Sequence, residues 1–95
     1  DDMIDTAGTL VNAATAAFEQ GAKSVTAIAT HGVLSDPAID RIKKSDINKI
    51  IITNTISIAK HKLIDKLKIM SVSGIFGQAV DRVHNGESVS ALFEY

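Results

Sequence analysis

The chain has 95 residues, 45% apolar and 22% charged, which bounds it at one small domain, or part of a larger one, with a modest core. It has no cysteine, no tryptophan and only 4% aromatic residues, which excludes a disulfide scaffold, thiolate chemistry and a base-stacking platform for nucleic acid. Ten basic against eleven acidic residues, a net charge of −1, give no global field toward nucleic acid or an anionic membrane. No apolar run approaches the ~18 residues of a membrane span, and the Asp1-Asp2 start has no basic leader. A soluble, cytoplasmic protein is expected.

Residues 1–9 read as a loop. Over residues 10–20, Leu10, Ala13, Ala14, Ala17 and Phe18 recur at helical spacing and predict an Ala-rich helix stopped at Gly21. Val25 to Thr30 is an apolar run too short for a helix and predicts a buried strand. Asp36 is placed as a helix cap before Pro37, with Ala38, Ile39 and Ile42 inward. Ile50-Ile51-Ile52 is the strongest strand signal, ended by Thr53-Asn54-Thr55. The lysine-rich stretch 58–66 predicts an exposed loop with one helical turn, and 67–72 a third strand. Ser73 is placed as the cap of a last helix, with Phe76, Ala79, Val80 and Val83 on one face and Asn85-Gly86 closing it.

Strands separated by helices predict an α/β fold, a parallel sheet with helices on both faces. The first helix has no strand before it, and three strands are few for such a sheet. Residues 1–95 are therefore expected to be the C-terminal part of one domain, incomplete at the N-terminus.

The segment with chemistry is Asp1-Asp2-Met3-Ile4-Asp5-Thr6-Ala7-Gly8-Thr9. One reading is a plain helix start, with Thr6 or Thr9 as cap and acidic residues near the positive end of the dipole. The other is a phosphate cradle: two hydroxyls, and small residues that let backbone N–H groups approach an anion at a helix N-terminus. Asp1 and Asp2 would then lie where paired carboxylates accept hydrogen bonds from a vicinal diol, which together with a phosphate describes a sugar phosphate.

This segment closely resembles the phosphoribosyl diphosphate loop of type I phosphoribosyltransferase folds. Ala29-Thr30-His31-Gly32-Val33-Leu34-Ser35, Thr53-Asn54-Thr55-Ile56 and the stretch His84 to Phe93 are similar to successive landmarks of the ribose-phosphate diphosphokinase family, over nearly the whole chain. The resemblance implies transfer of the diphosphate of ATP to O1 of ribose 5-phosphate, with Mg²⁺, giving phosphoribosyl diphosphate and AMP. It implies that Asp5, Thr6, Ala7, Gly8 and Thr9 hold the 5-phosphate and that Asp1 and Asp2 hold the ribose hydroxyls. It further implies that Ser88, Val89, Ser90 and Phe93 belong to a regulatory phosphate/ADP site between subunits of a homohexamer. Read without the family, that tail is a glycine-capped helix end docked by Leu92 and Phe93. No catalytic residue and no metal ligand is assigned within the segment, which alone is expected to form no product.

His31, at the end of a strand where α/β folds place ligands, reads first as a capping or packing residue. His84 suits the negative end of a helix, His61 lies among lysines, and the three histidines lack metal-site spacing. The eight basic residues between Arg41 and Lys68 read as a solvated face. Asp36, Ser57 and Gly77 depart from the family pattern, which has Gly, Pro and Ala there. Two alternatives stand beside the enzyme: a non-catalytic, synthetase-associated regulatory subunit, and a nucleobase phosphoribosyltransferase.

Overall fold

The structure, a computed structural model, describes residues 1–93, so the expected range 1–95 reaches two residues beyond it. The elements are β1 (Met3–Ile4), α1 (Gly8–Glu19), β2 (Thr26–Ile28), β3 (His31–Gly32), α2 (Ala38–Lys44), β4 (Lys49–Thr53), β5 (Leu67–Met70) and α3 (Ser73–His84), with 3₁₀ turns at Lys60–Lys62 and Ser90–Phe93. The lysine-rich loop has its single turn as expected, but it is not wholly exposed: Ile58 and Ile64 pack against the core, and half-buried Lys62 and Lys66 donate to the carbonyls of Leu34, Ile42 and Ser45.

All pairings are parallel. One sheet has the order β2-β4-β5, with Ala27 opposite Ile50 and Ile50 opposite Leu67. In the other, β1 lies beside β3, Met3 opposite His31. The β1–β3 ladder is longer than its two paired residues. Asp1 N donates to the Ile28 carbonyl at 3.0 Å, His31 N to the Asp2 carbonyl at 2.8 Å and Val33 N to the Ile4 carbonyl at 2.9 Å. The expected loop before the first helix is therefore partly a strand. Its two paired residues are too few to show a period of two in the sequence.

β4 is the centre of the core because β-branched residues fill both of its inward positions. Ile50 and Ile52 are fully buried, packed with Leu34, Ala38, Ile42 and Ile47 from the elements around them. Along α1, Ala14 is the fully buried residue, with Leu10 and Val11 packed against the core. Ala13, expected inward, is exposed. The buried stripe runs through Leu10, Val11 and Ala14, so Ala13 falls outside it. The α/β fold with parallel strands is as expected. Ala14 of α1 and Ala38 and Ile42 of α2 join the same core cluster as Ile50 and Ile52. The strand order steps one way, β1 to β3 and then β2 to β4 to β5, and right-handed crossovers then fall on one side. On the opposite face of the sheet Ile28 is 63% and Met70 62% exposed. Residues 25–30, expected as a buried strand, are thus buried on alternate positions only, at Ala27 and Ala29.

α3 differs in the same way. Its expected inward residues Phe76, Val80 and Val83 are exposed, and its main neighbour is the turn Ser90–Phe93. Ser73 is the first helical residue rather than the cap; its N–H donates to the Ser71 hydroxyl at 3.1 Å. Asn85 caps the far end and Gly86 follows in the left-handed region at φ +70°, as the Asn-Gly pair predicts. Gly77 sits mid-helix, exposed, with open space where a Cβ would go. Gly77→Ala is therefore expected to stabilise α3 by about 1 kcal/mol, seen as slower amide exchange across residues 76–84.

Candidate functional site

Parallel strands direct the loops after β1, β3 and β4 to one carboxyl edge, the side where α/β folds bind ligands. The loop after β1 enters α1 through Ala7, which is the N-cap at φ 64°, ψ 9° and is buried. This is the left-handed region, which ordinary residues adopt only when their surroundings enforce it. Neither Thr6 nor Thr9 caps the helix: no side chain bonds to its N-terminus. The plain-helix-start reading of the two threonines is thus corrected, because the turn at Ala7 has taken the cap position.

Two hydrogen bonds hold this turn from the α2 side of the molecule. The Asp5 carboxylate accepts the Ser35 N–H at 3.3 Å. The Arg41 guanidinium donates to the Thr6 carbonyl at 3.1 Å. A Cβ at Gly8 would sit 3.0 Å from the same Arg41 nitrogen. A side chain at Gly8 would therefore crowd the Arg41 guanidinium, while the left-handed residue is its neighbour Ala7. The first intrahelical bond is Val11 N to the Ala7 carbonyl at 3.0 Å, so the N–H groups of Gly8, Thr9 and Leu10 are the orphan donors of the helix.

A cavity of ≈ 540 Å³ lies along this loop, lined by Asp1, Asp5 and Thr6 to Thr9 on its polar side and by Leu10, Ala13, Ala27 and Ile28 on its apolar side. The apolar part borders the edge of β2 and offers a polar ligand little, while the loop end presents the threonine hydroxyls and the orphan N–H groups of the helix. Six of the seven expected sugar-phosphate residues line this cavity: Asp1, Asp5, Thr6, Ala7, Gly8 and Thr9. Asp2 does not. One oxygen of Asp1 accepts the Asp2 N–H at 2.8 Å. Among the described residues no three His, Asp or Glu side chains form a metal-holding group. With one oxygen of each already engaged, Asp1 and Asp5 suit a hydrated Mg²⁺ carried on phosphates better than a protein cage.

The other expected site lies elsewhere. Ser88, Val89, Ser90 and Phe93 line no part of this cavity. Arg82 donates to the Ser88 carbonyl at 3.1 Å and lies 3.8 Å from Glu87, and the Ser88 hydroxyl accepts the Ser90 N–H at 3.1 Å. Phe93 is 55% exposed. His31 has its packing role: Nδ1 is 2.7 Å from the Thr55 hydroxyl, and Thr53 Oγ1 donates to the Thr30 carbonyl at 2.6 Å. This network ties β3 to the turn after β4. In the turn before α2 the left-handed residue is Leu34, at φ 56°; Asp36 is not left-handed, and the α2 cap is Pro37. The residue missed from the sequence is Arg41, grouped there with the solvated bases. Its spacing held a signal: three residues after buried Ala38 and next to buried Ile42, it flanks the inward stripe of α2.

The chain is similar to curated proteins named ribose-phosphate pyrophosphokinase. It is 54% identical over 93 residues to that of Fusobacterium nucleatum and 55% identical to that of Caldanaerobacter subterraneus; each comparison takes in 98% of this chain and 29% of the relative. It is also similar to a crystal structure of phosphoribosylpyrophosphate synthetase from Mycobacterium smegmatis, at a TM-score of 0.88 and 40% identity, covering 90% of this chain and 29% of that one. The chain thus spans about 29% of the length of the relatives it matches. No helix among the described residues is long and apolar enough to cross a membrane. A family profile, the phosphoribosyl synthetase-associated domain, matches residues 1–94. Since that match runs without a break from the Ala7 turn to the serine-bearing tail, the chain belongs to the phosphoribosyl synthetase-associated domain family.

Proposed function

We propose that this chain supplies the ribose 5-phosphate cradle of a ribose-phosphate diphosphokinase. That enzyme moves the diphosphate of ATP onto O1 of ribose 5-phosphate, releasing AMP, and serves nucleotide biosynthesis. The observation that carries the reading is the Ala7 turn. It starts a helix without a side-chain cap and leaves the N–H groups of Gly8 and Thr9 facing no protein acceptor in a cavity-lining loop. Such a terminus attracts a phosphate through aligned N–H groups and the helix dipole together. The names of the relatives support the substrate assignment.

In this reading Thr6 to Thr9 hold the 5-phosphate through backbone N–H groups and the two threonine hydroxyls. Asp5, tied to Ser35, shapes the loop while its charge is partly satisfied. Asp1 and Asp2 accept hydrogen bonds from the ribose hydroxyls, Asp1 from within the cavity and Asp2 from its margin. Their work is positioning: the O1 hydroxyl must be held in line with the β-phosphorus of ATP, and fixing that geometry removes much of the entropic cost of reaction. Mg²⁺, when bound, would neutralise charge on the phosphates, and Asp1 and Asp5, which line the cavity, are the carboxylates that would help to hold its hydrated form. We also assign Ser88, Val89, Ser90 and Phe93 to a phosphate/ADP effector site in a cytoplasmic homohexamer, a reading supported by the family resemblance of the tail.

Calorimetry with ribose 5-phosphate, ribose and inorganic phosphate tests the cradle. Ribose 5-phosphate is expected to bind at least tenfold more tightly than either fragment, a difference of about 1.4 kcal/mol. Equal affinity for phosphate and ribose 5-phosphate would remove the sugar from the assignment. Undetectable binding of all three would favour the non-catalytic, synthetase-associated subunit.

A further inference from the structure

We infer that Arg41 is the positioning residue of the phosphate loop, acting through the Thr6–Ala7 peptide; the inference rests on the cradle reading above. Three observations converge on it. Its guanidinium donates to the Thr6 carbonyl at 3.1 Å and packs where a Gly8 Cβ would be, 3.0 Å from the nitrogen. It therefore bonds the residue before Ala7 and fills the space beside the residue after it. Ala7 is left-handed, at φ 64°, a conformation its own side chain disfavours and its surroundings must hold. Among the described residues Arg41 also has no ion-pair partner, the one salt bridge being that of Arg82 with Glu87.

The consequence follows from peptide geometry. In a planar trans peptide the carbonyl and the next N–H point in opposite directions. Turning the Thr6 carbonyl onto Arg41 directs the Ala7 N–H away from Arg41. A flip of that peptide would exchange a donor for an acceptor and set a carbonyl oxygen against a phosphate. Arg41 holds the peptide in one orientation and leaves an uncompensated positive charge behind the loop. It touches no substrate in this account.

The test titrates inorganic phosphate and ribose 5-phosphate into the 95-residue chain and its variants, followed by amide chemical shifts and calorimetry. Arg41→Gln is expected to weaken both ligands about tenfold, with Arg41→Lys recovering part of the loss. The unliganded Ala7 and Gly8 amide signals should shift in Arg41→Gln, while the melting temperature stays within about 2 °C of the parent, as for a surface substitution. Gly8→Ala, which crowds the guanidinium from the other side, should cost affinity in the parent and less in an Arg41→Gln background. That non-additivity is expected only if both act through one contact. Parent-level affinity in Arg41→Gln overturns the inference while leaving the cradle intact. If Arg41→Gln does not fold, additive effects of Arg41→Lys and Gly8→Ala overturn it instead. No binding by the parent chain overturns the cradle and this inference with it.

Discussion

Gly8→Val is expected to abolish measurable ribose 5-phosphate binding while the chain still folds. Gly8 has no left-handed φ, so a β-carbon meets no backbone penalty there; what the position lacks is room. A Cβ already meets Arg41 at 3.0 Å, and the two further methyl groups of valine must displace the guanidinium from the Thr6 carbonyl or push the loop into the cavity. Either movement disorders donors that work only as an aligned set. Misplacement of about 1 Å in a positioned site costs on the order of 100-fold. Calorimetry on the variant, with a thermal melt to show that it folds, checks the expectation. Retained affinity would remove the loop from the binding site.

The second large effect is on stability. Ile50→Ala is expected to cost about 2–5 kcal/mol, the range for truncating a large aliphatic side chain in a packed core. Ile50 is fully buried, between Ala27 and Leu67 across the ladder. The adjacent Ile51→Ala should cost less, about 1 kcal/mol, because Ile51 is only half-buried and points to the face where Ile28 and Met70 are exposed. Urea unfolding of the two variants measures the difference. Equal costs would mean that both faces of β4 are packed alike. Against a total of roughly 5–15 kcal/mol for a domain, the loss at Ile50 removes a large share of the fold's stability.

The elements that were legible in the sequence are those whose signal is local. Three consecutive isoleucines gave away β4, alanine-rich periodicity α1, and glycine the left-handed positions 21 and 86, at φ +98° and +70°. What was not legible depends on partners distant in sequence. Met3 and Ile4 are a strand because His31 and Gly32 lie beside them, which no window around residue 3 contains. The exposed face of α3 has an amphipathic pattern like that of a buried helix; periodicity shows that a face exists, not that it is covered. In the candidate site, the small residues of Thr6-Ala7-Gly8-Thr9 marked a helix start open to close approach, and the helix does begin at Gly8. Their division of labour was hidden, because Ala7 rather than Gly8 takes the left-handed conformation. Arg41 was hidden for the same reason: its partner Thr6 is 35 residues away, and its charge alone looks like any other on a lysine-rich surface.

In the proposed cradle, the turn Asp5–Thr9 is the phosphate-binding element of the chain. An amide-resolved titration of the 95-residue chain with ribose 5-phosphate tests it most directly. Saturable shifts are expected to concentrate at the N–H groups of Thr6, Ala7, Gly8 and Thr9, with Ser88 to Phe93 unmoved. Shifts confined to the lysine-rich stretch or to the tail, with residues 6–9 silent, would contradict it.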